Sequence, residues 1–172
     1  MPILNENLDW NQVWNEIKRR DPDAKPAFLG TPVKTLLSQN QILCRFLTTQ
    51  LNKKNIHDSG IFSSPWWTDW SGTTQMLARW KTAQISTKDV LRGKLAITSE
   101  FSAELDSLVQ IVLTKPVYGW KGIARYQDDN NIKVTYIGGA TQLCVPHLAA
   151  DPMDLSSNVA YLHCFSSVDS LG

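Results

Sequence analysis

The spacing of apolar residues along the chain changes near Pro116, from a helical period before it to a period of two after it. The clearest helical stripe lies near the start, where four residues follow the spacing i, i+3, i+4 and i+7: Trp10, Val13, Trp14 and Ile17. Asp9 precedes this stripe and Gln12 follows three residues later, which is the spacing of a capping box. Basic residues and then Pro22 close the segment, so the pattern predicts a helix over residues 10–20.

Between residue 31 and Pro116 the same spacing predicts four more helices. They cover, in order, residues 32–52, 66–70, 76–80 and 101–112. Thr31 and Pro32 form a cap and a first-turn proline for the longest of them. Gly72 is expected to end the short helix that contains Trp66 and Trp70.

Beyond Pro116 polar and apolar residues alternate, which is typical of strands. The predicted strands cover residues 118–126, 132–136, 142–145 and 159–165. Gly138 and Gly139 are expected to reverse the chain in a tight hairpin. The sequence therefore predicts an α+β fold, in which an N-terminal helical part (1–115) packs on a small C-terminal antiparallel β-meander of three to four strands (116–172). The two parts are expected to share one core as a compact domain.

Composition narrows the class of protein. Apolar residues make up 42% and charged residues 19% of 172 residues, which is the range of globular domains. The N-terminus has neither the basic start nor the apolar run of a secretory signal, and no segment is apolar enough to span a membrane. Three widely spaced cysteines favour reduced thiols over a disulfide framework. We therefore expect a cytoplasmic protein without a membrane partner.

Positive charge concentrates in residues 34–94, where nine basic residues accompany three acidic ones. The same stretch contains a cluster of tryptophans, whose rings are suited to stacking on bases or to protein interfaces. The candidate partner-binding residues are Trp66, Trp67, Trp70, Arg79, Lys81, Arg92 and Lys94. The alternative is an ordinary solvated helix surface with its aromatic residues in the core.

Cysteine and histidine come together in two short segments, Cys144-x-x-His147 and His163-Cys164. Zinc requires four ligands in tetrahedral geometry, but neighbouring strand residues point to opposite faces and the spacing matches no standard finger. A cysteine nucleophile with a histidine base uses the same residue types, yet no cysteine lies in a characteristic context. We expect no metal and no cofactor.

These patterns favour a non-enzymatic macromolecular binding module, a small adaptor or subunit that acts through protein–protein contacts. The absence of a convincing catalytic motif, the low charge of the predicted sheet and the many tryptophans support this function. One alternative is single-stranded nucleic-acid binding through the basic, Trp-containing stretch 34–94. A second is a small enzyme, a transferase or hydrolase, that uses the Cys/His groups of the C-terminal sheet.

Overall fold

A computed structural model describes residues 2–47, 62, 64–81, 86–99, 105, 107–148 and 158–165, with backbone alone for 47, 76, 77, 79–81, 87 and 161–165. The described residues form three helices and nine strands. The helices are α1 (Trp10–Arg20), α2 (Trp70–Lys81) and α3 (Thr87–Leu95). The strands are β1 (Val33–Leu37), β2 (Ile42–Leu47), β3 (Trp66–Asp69), β4 (Ser107–Leu113), β5 (Val117–Ile123), β6 (Gln127–Asp129), β7 (Val134–Tyr136), β8 (Thr141–Cys144) and β9 (Val159–Phe165).

Seven strands form one antiparallel sheet in the order β1-β5-β8-β3-β2-β4-β9, and β6 and β7 form a separate two-stranded sheet. Strand β3 joins the two halves of the large sheet. Trp66 and Trp67 pair with β8, whereas Thr68 and Asp69 pair with β2. The halves β1-β5-β8 and β2-β4-β9 therefore meet only through one short strand among the described residues.

Two short connections show that the large sheet folds over on itself. Residues 114–116 alone link β4 to β5, although four strand spacings separate these strands in the sheet order. Four spacings in a flat sheet measure about 19 Å, whereas the chain from Leu113 to Val117 reaches at most about 15 Å. The tight turn between Ser38 and Gln41 likewise links β1 to β2. The two halves consequently form two layers.

The inner core lies between these layers and draws on both of them. It contains Leu37, Leu43, Trp67, Val109, Ile111, Leu113, Val117, Leu143, Val145, Leu148 and Val159, all buried. Every second residue of each strand points inward, so Leu43 belongs to this core while Cys44 faces the outer side. Leu143 and Cys144 divide in the same way on β8.

The helices cover the outer face of the folded sheet in two places. Helix α1 buries Val13 against Trp120 of β5 and Cys144 of β8. Helix α3 buries Val90, Leu91 and Leu95 in a second cluster with residues of β2 and β4. Between these two helices, part of the outer face of β2, β3 and β8 is left for other contacts.

The predicted fold class is wrong. Strands β1 to β4 come from the first 115 residues and share the large sheet with β5, β8 and β9, so no helical N-terminal part packs on a small meander. The predicted helix over 32–52 is two strands joined by a turn within its described part. A strand that is covered on both faces is apolar at nearly every position, and such a run imitates a buried helix. The same cause accounts for β4, which replaces the predicted helix over 101–112 in its described part.

The segment around the tryptophans was also predicted wrongly in part. Trp66 lies in β3, and the helix begins only at Trp70. Gly72 does not end that helix but lies in its first turn. The Gly72 N–H donates to the Asp69 carboxylate, which caps this turn. The helical spacing of residues 76–80 is confirmed within α2, whereas α3 was not predicted.

The predictions near the two ends of the chain are confirmed more often. Helix α1 has the expected bounds, and Asp9 and Gln12 form both hydrogen bonds of the capping box. Strands β8 and β9 lie where alternation placed them. Gly138 and Gly139 do not join two paired strands, because β7 pairs with β6 while β8 pairs with β5 and β3. Both have positive φ, and the Gly138 N–H donates to the Gly93 carbonyl.

Candidate functional site

A cleft of about 190 Å³ opens on the outer face of the sheet, between α1 and the segment that follows α3. We call it the α1–α3 cleft. Its lining includes Trp14, Ile17, Lys25, Phe46, Trp66, Thr68, Ile97, Arg125 and Gln142. Phe46 and Thr68 are buried and form the floor, whereas Lys25 is exposed and lies at the rim. Four strands (β2, β3, β6 and β8), two helices (α1 and α3) and three loops contribute to this concavity.

Strand alternation explains why these side chains meet. Because Trp67 points into the inner core, its neighbours Trp66 and Thr68 point to the outer face of β3. Phe46 reaches that face from β2, and Gln142 reaches it from β8 because Leu143 points inward. The cleft is therefore the part of the outer face that neither α1 nor α3 covers.

Positive charge dominates the lining. Lys25, Arg45 and Arg125 are its cations, and Asp21 is its carboxylate. The Asp21 carboxylate accepts a hydrogen bond from the Asp23 N–H at 3.2 Å and keeps its charge, but the three cations outnumber it. The guanidinium of Arg125 lies 5.0 Å from the centre of the Tyr126 ring. The rim thus presents cations to a ligand that enters the cleft.

Arg45 is a buried cation beneath this surface. One guanidinium nitrogen donates to the Ser64 carbonyl at 2.9 Å, and the group lies 5.8 Å from the Trp67 ring. Burial lowers the pKa of Arg45 to about 10, so the side chain stays protonated at neutral pH. Its role is to add positive potential below the floor while it anchors the chain before β3.

The predicted Cys/His cluster does not assemble as a reactive site in the described residues. Cys144 is fully buried, and this burial, with the nearby Glu16 charge, raises the pKa of its thiol. A protonated, buried thiol is inert as a nucleophile. His163 and Cys164 lie on β9, which is not a neighbour of β8, and their side chains fall outside the described residues.

His147 is held on both sides of its ring. Nδ1 lies 3.2 Å from the Asn5 side-chain oxygen, and Nε2 lies 2.9 Å from the Glu16 carboxylate. The amide of Asn5 in turn donates to the carbonyls of Tyr118 and Pro146. His147 therefore ties the N-terminal segment and α1 to the end of β8.

Glu16 responds electrostatically to this contact. Burial pushes its pKa upward, but the hydrogen bond and charge of His147 and the charges of Arg20 and Arg19 outweigh burial, so the net pKa of Glu16 is lowered. The Glu16–His147 pair therefore favours the ionised carboxylate.

The predicted partner-binding residues do not form one surface. Trp67 is buried in the inner core, whereas Trp66 is half-buried at the cleft and Trp70 is half-buried beside the α3 cluster. Arg79 and Lys81 lie in α2, but their side chains fall outside the described residues. Arg92 and Lys94 lie in the last turn of α3. Their assignment as partner-binding residues stays a prediction.

A second exposed feature was missed in the sequence: an aliphatic surface beside β1. Leu29 and Val33 are 66% and 68% exposed, and Ile123 is 42% exposed. The Leu29 N–H donates to the Ile123 carbonyl at 2.8 Å, so these two residues lie side by side. Val33 pairs with Lys121, two residues before Ile123 on the same face. We call Leu29, Val33 and Ile123 the β1 patch.

The β1 patch lies at an open edge of the sheet. Strand β1 pairs with β5 alone among the described strands. The patch shares the face of β1 on which Leu37 enters the inner core, so it extends this core surface beyond the layers. It therefore lies on the opposite face of the sheet from the α1–α3 cleft. A strand assignment for residues 33–37 alone would not have revealed it, because Leu29 and Ile123 lie outside that segment.

Two further observations concern the described residues only. They contain no group of three or more His, Cys, Asp or Glu side chains arranged to hold a metal ion. None of their helices is long and apolar enough to cross a membrane.

Comparison with known proteins relates the chain to solved complexes through its fold. No protein-family model and no curated protein matches it. A chain in the solved structure of Tne2 in complex with Tni2 superposes with a TM-score of 0.53 and 14% identity, over 80% of this chain and 93% of that one. A chain in the structure of Rhs1-CT in complex with its cognate immunity protein RhsI1 superposes with a TM-score of 0.50 and 12% identity, over 78% and 80%. At these identities the comparison shows a shared fold, which in both solved structures belongs to a member of a protein complex.

Proposed function

We propose that this chain is a protein-binding module, one member of a cognate pair of the kind that an immunity protein forms with its target. The observation that carries the proposal is the β1 patch, an exposed aliphatic surface at an open sheet edge. The fold shared with members of two solved protein complexes supports it. Cognate immunity pairs are among the tightest protein complexes, so a well-packed apolar contact is the expected chemistry.

The surroundings of the patch favour burial by a protein. Single exposed aliphatic residues are common, but contiguous ones at an unpaired edge mark an interface or an aggregation site. Lys34, the charged residue of β1, points to the other face, where its ammonium donates to the carbonyls of Glu6 and Leu8 at 2.7 and 2.6 Å. Lys34 therefore places no charge beside the β1 patch.

The other charge near the patch is already paired. Lys121 lies opposite Val33, and its ammonium lies 3.5 Å from the Asp69 carboxylate. A partner that covers Leu29, Val33 and Ile123 consequently does not have to bury an isolated charge.

Strand addition is the binding mode that this geometry supports. An extended partner segment could pair with the side of β1 that no described strand occupies, while apolar partner side chains cover the patch. The partner is thus a protein with an extended, apolar segment at its surface.

The test uses the proteins encoded by the two flanking reading frames as probes. Each is co-expressed with this chain, and the products are analysed by size-exclusion chromatography with light scattering. We expect a stable one-to-one complex with one of them, and loss of that complex in the double variant Leu29→Asp/Val33→Asp. The matched control is Ile137→Asp, because Ile137 is 69% exposed but lies outside the patch.

Two results would contradict the proposal. One is that neither flanking product forms a complex with the wild-type chain. The other is a complex that tolerates Leu29→Asp/Val33→Asp but is lost in Ile137→Asp.

The structure bears differently on the two alternatives drawn from the sequence. The thiol mechanism has no support from Cys144, which is buried and protonated. Single-stranded nucleic-acid binding through residues 34–94 stays a prediction. Salt-sensitive quenching of tryptophan fluorescence by a mixed-sequence oligonucleotide would support it.

A further inference from the structure

We infer that the α1–α3 cleft binds a small molecule that has a flat apolar body and one anionic group. This inference concerns a different face of the molecule from the proposed protein contact, and it does not depend on that contact.

The size and lining of the cleft define the apolar body. Its volume of about 190 Å³ exceeds the roughly 150 Å³ of an apolar cavity that accepts benzene. The indole rings of Trp14 and Trp66 and the ring of Phe46 line it. Aromatic walls favour offset or edge-to-face contact with a flat ring. One or two fused rings therefore match the space.

The rim defines the charge of the ligand. Lys25 and Arg125 belong to no ion pair among the described residues, and both line the opening. The lining has one carboxylate, on Asp21, against the three cations Lys25, Arg45 and Arg125, so its net charge is positive. A carboxylate or phosphate at the mouth would meet two cations, and its ring would point toward the floor.

Gln142 supplies a polar group for orientation. Its side chain lines the cleft from β8 and makes no hydrogen bond with the described residues. An amide both donates and accepts, so Gln142 can bind a heteroatom of the ligand. Ligand sites typically combine an apolar lining with a few such polar groups.

The test is an isothermal titration with 2-naphthoate, a two-ring carboxylate, and with 2-naphthamide, its uncharged analogue. We expect saturable one-to-one binding of naphthoate with a Kd of about 1 mM or tighter. The amide should bind at least about tenfold more weakly, because it lacks the charge that Lys25 and Arg125 recognise.

Three variants assign the binding to the cleft. Lys25→Glu/Arg125→Glu should weaken naphthoate binding at least about tenfold and leave the amide nearly unchanged. Ala24→Trp places an indole in a lining loop and should abolish binding of both probes. Lys115→Glu removes an exposed cation between β4 and β5, outside the lining, and should change neither affinity.

Three results of the titrations would overturn the inference. These are the absence of saturable naphthoate binding, equal affinity for acid and amide, and an equal effect of Lys115→Glu. Because no partner protein enters the titration, its failure would leave the proposed protein contact untouched, and the reverse also holds.

Discussion

The α1–α3 cleft and the β1 patch both expose apolar surface, but they differ in shape, chemistry and position. The cleft is concave, lined by aromatic rings and rimmed by cations. The patch is aliphatic, lies along an edge strand, and the charge opposite Val33 is already paired. One lies on the outer face of the sheet and the other continues its inner face. Exposed apolar area therefore has to be interpreted together with its shape and its neighbouring charges.

Shape and charge assign a different partner to each surface. A concave site with a few polar groups suits a small molecule, because it removes most of that molecule from water. A sheet edge with exposed aliphatic residues suits a polypeptide, because a strand satisfies backbone groups that a small molecule cannot.

The largest expected effect is a loss of stability at Gly138, in the segment between α3 and the end of β5. A Cβ at Gly138 would overlap the Ala124 carbonyl oxygen, and the φ of Gly138, +71°, is already unfavourable for other residues. This segment docks α3 against the end of β5 beside Arg125. Gly138→Ala should therefore lower the free energy of unfolding by about 3 kcal/mol. Urea denaturation measures it.

The control for this variant is the next residue. Gly139 also has a positive φ, but a Cβ there would contact nothing within 4 Å. Gly139→Ala should therefore lower the free energy of unfolding clearly less than Gly138→Ala does. Equal losses for both would show that backbone strain alone, without the close approach to Ala124, matters here.

The second effect concerns the patch. Leu29→Asp/Val33→Asp should weaken binding of the protein partner about 100-fold, because a charge would be buried in the centre of the contact. The free energy of unfolding should change by less than about 0.5 kcal/mol, since both side chains are exposed in the free chain. Calorimetry and urea denaturation separate the two quantities, and a large loss of stability would assign these residues to the fold instead.

Salt should change the binding affinities of the two surfaces differently. Raising NaCl from about 50 to about 500 mM should weaken naphthoate binding several-fold, since screening reduces its attraction to Lys25 and Arg125. The affinity of the patch for its protein partner should change little or increase. The same calorimetric titrations measure both, and a steep salt dependence at the patch would point to charged contacts there.

The smallest effect concerns pH and the Glu16–His147 contact near the cleft. Because the folded state lowers the pKa of Glu16, this group stabilises the fold above its unfolded pKa of about 4.5. That contribution is lost as the pH falls through the lower, folded pKa. Glu16→Gln should therefore reduce the difference in unfolding free energy between pH 7 and about pH 3.

Glu6→Gln is the matched control for the pH measurement, since Glu6 is an exposed carboxylate in the N-terminal turn. An identical pH profile for Glu16→Gln and the wild-type chain would contradict the role assigned to the contact with His147.

The sequence predicted those elements whose signals are local. The prediction of helix α1 was correct because its apolar stripe, its capping box and the following proline agree within a short segment. The helices predicted for the middle of the chain were wrong because strands β2 and β4 are buried on both faces, as Leu43 and Cys44 illustrate. Apolar side chains at successive positions hide the period of two that would identify a strand.

The two surfaces could not be predicted, because each depends on distant pairing. Trp66 and Trp67 separate to opposite faces only because they lie in a strand. The β1 patch exists because Leu29 pairs with Ile123, far along the chain. Such contacts follow from the order of strands in the sheet, which local patterns do not encode.

If the chain binds a protein through the β1 patch, the α1–α3 cleft should stay open in the complex. Titration of 2-naphthoate into the purified complex with the flanking-frame product tests it most directly. We predict the same Kd as for the free chain, because the two surfaces lie on opposite faces of the sheet. Loss of naphthoate binding in the complex would contradict the account and show that the partner occupies the cleft.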